Sequence, residues 1–156
     1  MQVSKNLSLL EMTNSQTAKR LGISNQPTEA HLTSMKVLAE NIFQPIRKHF
    51  AKPIWISSGY RSEALNKAIK GSKTSQHCKG EAMDIDMDGH KGPTNNEIFN
   101  YIKNNLPFDQ LIWEFGNDKN PDWVHVSHSP SGNQRGQILK AKRNSAGKTY
   151  YEPYKS

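Results

Sequence analysis

Residues 75–88 read Ser-Gln-His-Cys-Lys-Gly-Glu-Ala-Met-Asp-Ile-Asp-Met-Asp, a polar loop that runs into an alternating segment. From residue 82 onward, apolar side chains alternate with small or acidic ones, and this alternation predicts a strand with one buried and one polar face. Met83, Ile85 and Met87 are expected on the buried face. Asp84 lies on the polar face, so its carboxylate need not enter the hydrophobic core.

On either side of this segment, helices and strands are mixed along the chain. Apolar residues at spacings of three and four predict a helix over residues 28–50, with Thr28 as its cap and Pro45 as a kink or an end. Further helices are predicted over 62–70 and 95–104, and strands over 54–59, 110–115, 123–127, 137–141 and 149–151. The order lacks βαβ regularity, so we expect an α+β fold with a small antiparallel sheet flanked by helices.

The chain has 156 residues, of which 34% are hydrophobic, and a formal net charge of +7. This length suits one domain over residues 1–156, with a polar lead-in over 1–30 and a basic C-terminal segment over 130–156. The charge favours a polyanionic partner, and both an anionic cell wall and nucleic acid fit that description. We expect a monomer.

Compartment signals are sparse. The single cysteine, Cys78, excludes an internal disulfide and a cysteine-based zinc knuckle. The first residues lack the apolar stretch of a signal peptide, and no apolar run is long enough to cross a bilayer. We therefore expect cytoplasmic synthesis and no membrane span. If the target is a cell wall, another factor must release the protein.

Three side chains form a candidate zinc site: His77, Asp84 and His125. Catalytic zinc usually has three histidine or carboxylate ligands, with the fourth position left to water. His125 faces away from Val124 and Val126 on its predicted strand, and these valines would fill the core. Spacing alone leaves this site a hypothesis, because a lone histidine is more often structural and a strand aspartate is more often solvated.

Zinc-dependent hydrolysis also needs a group that accepts the proton of the attacking water. Asp122 is the first candidate, but its spacing of three from His125 places the two side chains on opposite faces of a regular strand. Asp122 must therefore lie just before the strand, where Pro121 makes the backbone irregular. Glu114, an acid within an apolar predicted strand, is the second candidate. Its alternative role is a salt bridge at a sheet edge.

Three motifs occur in a fixed order. Residues 57–66 read Ser-Ser-Gly-Tyr-Arg-Ser-Glu-Ala-Leu-Asn, residues 75–84 match SxHxxGxAxD, and residues 122–125 read Asp-Trp-Val-His. Together they resemble the M15-type zinc peptidases, the D-alanyl-D-alanine carboxypeptidase and L-alanyl-D-glutamate endopeptidase group. Residues 17–23 also resemble the lead-in of the phage-associated branch of that family.

The resemblance implies a fold and a cofactor. The family fold is an α+β domain with a small antiparallel sheet that carries the metal, and the hedgehog signalling domain shares it. His77, Asp84 and His125 match the zinc ligands of the family, so Zn²⁺ is the implied cofactor.

The resemblance also implies a zinc metallopeptidase that hydrolyses a peptide bond in peptidoglycan stem peptides. Asp122 matches the catalytic base of the family. Arg61 matches an arginine that contacts the substrate and stabilises the developing oxyanion, and Ser75 matches a serine that helps to hold the substrate. A short chain without a signal peptide resembles a phage or prophage lysis enzyme, which favours the endopeptidase over the carboxypeptidase.

Other functions fit parts of the sequence. A catalytically silent metal- or wall-binding module on the same fold is the main alternative, and the presence of Asp122 and Arg61 disfavours it. A nucleic-acid binder would explain the charge, but the chain has no recognition motif of that class. Residues 84–89 begin like a calcium-binding loop, yet the twelfth position is Asn95 and not the glutamate that such a loop needs.

Several further residues have modest expected roles. The basic C-terminal segment is a candidate wall anchor through Lys140, Lys142, Arg143 and Lys148. His128 is expected to lie on the surface or to support a metal ligand. Cys78 is expected to be a bystander beside His77.

Overall fold

The computed structural model describes residues 1–155, and its helices and strands confirm the α+β class. The strands are β1 (Gln2–Ser4), β2 (Leu7–Ser8), β3 (Ile56–Ser58), β4 (Ala82–Ile85), β5 (Gln110–Glu114), β6 (Trp123–Ser127), β7 (Gln137–Arg143) and β8 (Thr149–Pro153). The α-helices are α1 (Leu9–Thr13), α2 (Gln16–Leu21), α3 (Glu29–Leu38), α4 (Gln44–Phe50), α5 (Glu63–Ala68) and α6 (Asn95–Asn105).

Six strands form the main sheet in the order β3-β4-β6-β5-β7-β8, and β1 pairs with β2 separately. Neighbouring strands are antiparallel, as expected, except for the parallel pair β5 and β7. The parallel pair arises because β6 ends beside the start of β5, where the Asp109 N–H donates to the Ser127 carbonyl at 2.8 Å. Residues 128–136 pass that same end of β5, and β7 begins there, so it runs in the direction of β5.

The predicted helix over residues 28–50 is a continuous helical segment in three parts. Thr28 caps α3, as expected, and its hydroxyl accepts the His31 N–H. Pro45 lacks the N–H that a regular helix would use. The backbone widens into a π-helical turn at Ala39–Phe43 just before this proline, and α4 then continues to Phe50.

The two faces of the main sheet differ in chemistry. One face is buried in the hydrophobic core together with residues of α3 and α6. Its main sheet residues are Met83, Ile85, Leu111, Trp113, Val124 and Val126. The alternation of β4 and β6 therefore predicted the core face correctly, and it leaves Asp84 and His125 on the opposite face.

Strand β4 ends at Ile85, three residues earlier than the alternation predicted. The reason lies in Asp86, whose carboxylate accepts the Asp88 N–H at 3.0 Å and turns the chain. The other predicted strands and helices overlap the observed ones. The lead-in over residues 1–30 contains β1, β2, α1 and α2, and the pairing of β1 with β2 was not predicted.

Candidate metal centre

His77, Asp84 and His125 converge on one point beside the main sheet. Asp84 on β4 is the direct cross-strand partner of His125 on β6. His77 lies in a 3₁₀ turn, Gln76–Lys79, that leads into β4. His77 Nε2 lies 3.3 Å from Asp84 Oδ1, and His125 Nδ1 lies 3.0 Å from the same oxygen. One possible ligand atom from each residue lies within 4.8 Å of the others.

A hydrogen bond to the backbone fixes the orientation of the His77 ring. Its Nδ1 lies 2.7 Å from the Gly59 carbonyl, and this pairing places the proton on Nδ1 and leaves the Nε2 lone pair toward Asp84. Gly59 is required here because a side chain at this position would collide with the backbone of Met12. The Tyr60 N–H donates to the Met12 carbonyl at 2.6 Å, so α1 holds this segment against the site.

The donor set fits a divalent cation such as zinc. Zinc bonds of about 2.0–2.2 Å in tetrahedral geometry place neighbouring donor atoms about 3.3–3.5 Å apart. The two distances to the Asp84 oxygen, 3.3 Å and 3.0 Å, lie close to that spacing. His125 Nδ1 is the ring nitrogen that faces Asp84, and His125 Nε2 is buried without a hydrogen-bond partner among residues 1–155.

The charge state of Asp84 also suits a metal ligand. Burial by itself raises the pKa of Asp84, but the neighbouring His77 and His125 outweigh burial and hold that pKa below its usual range. Asp84 is therefore ionised at neutral pH, as a metal ligand must be.

Glu114 lies in the same cavity as the three residues above. Glu114 pairs with Trp123, and Ile112 pairs with His125, so Glu114 is a diagonal neighbour of His125 on the same face of the sheet. Such neighbours lie about 7–8 Å apart. Glu114 is only 7% exposed. Burial raises its pKa to about 7; His125 and Arg143 lower this pKa, and Asp84 raises it.

Asp122, the first candidate for the base, lies elsewhere. It is exposed just before β6, and its N–H donates to the Glu114 carbonyl at 2.8 Å. Its side chain lines a separate hollow of about 490 Å³, together with Asp118 and Lys140. Phe115 and Arg143 line both hollows and divide them. The side chains thus continue to alternate in the residues just before β6, so Asp122 and His125 lie on opposite faces. The structure does not bring Asp122 to His77, Asp84 and His125.

Arg61 and Ser75 both line the cavity of about 910 Å³ that contains His77, Asp84 and His125. Arg61 Nη2 donates to Ser75 Oγ at 3.4 Å, and the Arg61 N–H donates to the His77 carbonyl at 3.2 Å. Arg61 Nε is buried without a partner within the described part of the chain. The structure therefore brings both residues to the side of the cavity where His77 lies.

An ion pair between the buried Asp109 and the exposed Arg135, which the sequence did not reveal, lies on the same side of the cavity. Asp109, just before β5, is 5% exposed and accepts hydrogen bonds from the Arg135 guanidinium at 2.8 Å, 3.1 Å and 3.2 Å. Its Oδ2 also accepts from Gln76 at 2.9 Å, next to His77. Arg135 and Gln76 hold the pKa of Asp109 at about 2. No local motif marks this pair, because its partners lie far apart in sequence.

Strands β7 and β8 form the opposite wall of the cavity. Leu139, Arg143, Thr149 and Tyr151 line it. The guanidinium of Arg143 lies 3.7 Å from the centre of the Phe115 ring. A strand was predicted over residues 137–141, but nothing in the sequence indicated that one face of it would line the cavity of His77, Asp84 and His125.

The basic C-terminal segment presents fewer free charges than its composition suggests. Lys140 donates to Asp118 at 2.7 Å, and Lys142 pairs with Glu152 at 2.6 Å. Because Arg143 lies against Phe115, three of the four cations of the expected wall anchor are engaged.

The other histidine and cysteine near the motif do not join the metal ligands. His128 was expected on the surface or beside a ligand, but it is buried, and its Nδ1 pairs with the Pro107 carbonyl at 2.7 Å. Cys78 is half-buried beside His77, and burial raises the pKa of its thiol, so it is poorly suited to bind metal as a thiolate. In the range 1–155, the only metal-ligating group of three found is His77, Asp84 and His125.

A sequence model of the family described as Peptidase M15 matches residues 5–127, which is most of the chain and ends with β6. No curated protein matches the chain. Among the residues that the structure describes, no helix combines the length and the apolar composition needed to cross a bilayer.

Proposed function

The chain belongs to the peptidase M15 family, and from that premise we propose that it is a zinc peptidase that hydrolyses a peptide bond in bacterial peptidoglycan stem peptides. The observation that carries the proposal is the convergence of His77, Asp84 and His125 in one cavity with Glu114. A metal-binding group alone would serve a structural site equally well. A buried carboxyl group beside it supplies the proton acceptor that hydrolysis needs.

We assign zinc binding to His77, Asp84 and His125. When bound there, zinc polarises the scissile carbonyl and lowers the pKa of a water molecule. The identity of the metal is part of the proposal. Two imidazoles and one carboxylate form the kind of three-residue set that catalytic zinc sites use.

Glu114 is the general base in this proposal, in place of Asp122. It accepts the proton of the attacking water and delivers it to the leaving amine. Burial raises the pKa of Glu114 in the metal-free protein, and a group that takes up and releases a proton works best when its pKa lies near the operating pH. Asp122 remains the alternative that the motif resemblance named.

Arg61 and Ser75 hold the substrate on the side of His77. The guanidinium of Arg61 is permanently charged and planar, so it stabilises an oxygen that becomes negative during the reaction. The buried Arg61 Nε, which has no partner in residues 1–155, has a hydrogen bond to give to a substrate.

The endopeptidase is favoured over the carboxypeptidase. A second hollow, of about 310 Å³, is lined in part by Arg61 and Ile69, which also line the main cavity, so it adjoins the cleft beside Arg61. An endopeptidase must accommodate peptide residues beyond the reacting bond, and this adjoining hollow is a candidate place for them.

One digest tests the proposal. Purified muropeptides are incubated with the protein, with a chelator, and with a chelator followed by added zinc, and the products are identified by mass spectrometry. We expect cleavage after L-alanine that the chelator stops and zinc restores. Release of terminal D-alanine would identify a carboxypeptidase instead.

The same digest distinguishes the rival function. A silent metal- or wall-binding module would bind zinc and leave every muropeptide intact. The presence of Glu114 and Arg61 in the cavity favours the enzyme, because such a module needs neither a buried base nor an oxyanion donor.

A further inference from the structure

The wall formed by β7 and β8 lies beyond residue 127, outside the part of the chain that matches the family. Strand pairing nevertheless connects the candidate metal centre to this wall, because one row of directly paired residues runs from β6 to β8. Trp123 pairs with Glu114, Glu114 with Ala141, and Ala141 with Tyr151. Directly paired residues lie on the same face of a sheet, and Trp123, Glu114 and Tyr151 of this row line the cavity.

Ala141 determines how close Tyr151 and Glu114 are to each other. Neighbouring strands lie about 4.8 Å apart, so the backbones of Glu114 and Tyr151 are separated by about 10 Å. Ala141, the residue between them in this row, has only a methyl side chain and is fully buried. Glu114, Asp84 and Tyr151 all line one cavity, and the two carboxylates act electrostatically on the phenol.

The exposure of Tyr151 indicates a role outside the core. The residue is 54% exposed, although its ring lines the cavity. A core tyrosine would be buried, and a purely surface tyrosine would not face a metal-ligating group. The other tyrosine of this strand, Tyr150, pairs with Lys142 and belongs to the opposite face.

We propose that Tyr151 is a further catalytic residue of the peptidase, whose hydroxyl donates a hydrogen bond to the carbonyl oxygen of the scissile peptide bond. This inference rests on the proposed function. Tyr151 acts from β8 at one edge of the main sheet, and Arg61 acts from the segment after β3 at the other edge. Both side chains line the cavity that contains His77, Asp84 and His125, so the proposed contacts to the substrate carbonyl are two hydrogen bonds, and no covalent bond forms to either residue.

The hydrogen bond strengthens as the reaction proceeds. When water adds to the carbonyl carbon, the electron pair of the C=O double bond moves to the oxygen, and that oxygen becomes negative. The phenol keeps its proton and donates to this charge, so its contribution is larger in the transition state than in the bound substrate.

The test compares Tyr151→Phe with Tyr150→Phe, which removes the same hydroxyl from the other face of the strand. Removing an enclosed oxyanion donor costs about 10²–10³ in kcat, and the half-exposed position of Tyr151 places the expected loss at about 10- to 100-fold. KM should change less than about 3-fold, because the lost interaction belongs to the transition state. Tyr150→Phe should keep the wild-type kcat and KM.

A second measurement separates catalysis from folding. A phosphinate analogue of L-alanyl-D-glutamate imitates the tetrahedral intermediate, and its affinity for Tyr151→Phe should fall by the same factor as kcat/KM. The affinity for the product peptide, the bound zinc content and the thermal unfolding midpoint should not change.

Several results would overturn the assignment. They are a wild-type kcat in Tyr151→Phe, an equal loss of affinity for the product peptide, or a loss of zinc from the variant. If the wild-type protein cleaves no muropeptide, the proposed function fails. In that case the affinity for the phosphinate is the only test of Tyr151. Equal affinities of the wild type and Tyr151→Phe for the phosphinate would reject the proposed hydrogen bond.

Discussion

Glu114 and Asp122 lie on opposite faces of the main sheet, and this difference leads to a direct test of the general base. Glu114→Gln should lower kcat by at least about 10²-fold, because general-base catalysis contributes about 10²–10⁴. Asp122→Asn should stay within about 3-fold of the wild type. Steady-state kinetics on the cleaved muropeptide give both values.

Zinc content is the control for this comparison. Both variants should bind zinc as the wild type does, because neither carboxyl belongs to the proposed ligand set. The opposite pattern, with Asp122→Asn inactive and Glu114→Gln active, would restore the base that the motif resemblance named.

Glu114 also makes the stability of the metal-free protein depend on pH. In the unfolded chain a glutamate titrates near pH 4.3, whereas burial raises the folded pKa to about 7. The folded state holds the proton more tightly, so this carboxyl reduces the free energy of unfolding as the pH rises from about 4 through about 7. Over that range Glu114→Gln should gain about 2–3 kcal/mol relative to the wild type. Urea unfolding with a chelator at pH 4, 6 and 8 measures this difference, and a difference independent of pH would contradict the prediction.

The convergence of His77, Asp84 and His125 could be predicted from sequence because most of their signal is local. His77 and Asp84 belong to one motif, and strand parity placed His125 away from the valines of β6. The identity of the base stays a prediction, because the motif resemblance indicates Asp122 and strand parity places Asp122 away from the cavity. In the structure Asp122 and His125 lie on opposite faces, as the alternation of side chains along a strand predicts.

Among the elements, the ion pair of Asp109 with Arg135 holds the connection between β6 and β7 against the start of β5. Asp109→Asn should lower the free energy of unfolding by about 1–3 kcal/mol, because Asp109 is buried and its neutral replacement leaves the Arg135 and Gln76 donors without a charged partner. Chemical denaturation at neutral pH measures the loss.

Asp118→Asn is the matched control for Asp109→Asn. It removes the fully exposed partner of Lys140, and exposed ion pairs contribute little to stability. Equal losses in the two variants would show that Asp109 does not stabilise the connection in the way proposed here.

Helices were easier to predict than the arrangement of the sheet. Thr28, Ser62 and Thr94 each cap a helix, and capping is encoded within a few residues. The parallel pairing of β5 with β7 depends on where β6 ends relative to β5, and on an ion pair between distant residues. Neither leaves a local pattern in the sequence.

At the scale of the whole molecule, the net charge of +7 favours association with an anionic wall. The lysines of β7 are paired with acids, so this attraction comes from the overall charge and not from that segment. Binding of Glu114→Gln, which should not digest its target, to purified cell walls should fall several-fold between about 0.1 M and 1 M salt. The Debye length shortens from about 10 Å to 3 Å over this range. Unchanged binding would show that recognition is confined to the cleft.

The late position of β8 in the chain has a consequence for the timing of activity during synthesis. A nascent chain that has emerged through residue 127 contains the three proposed ligands and Glu114, but it lacks the wall formed by β7 and β8. Pairings between distant segments also form slowly. The cleft therefore becomes complete only after β8 has left the ribosome and paired with β7. Until then, the partly synthesised hydrolase lacks the second wall of its cavity.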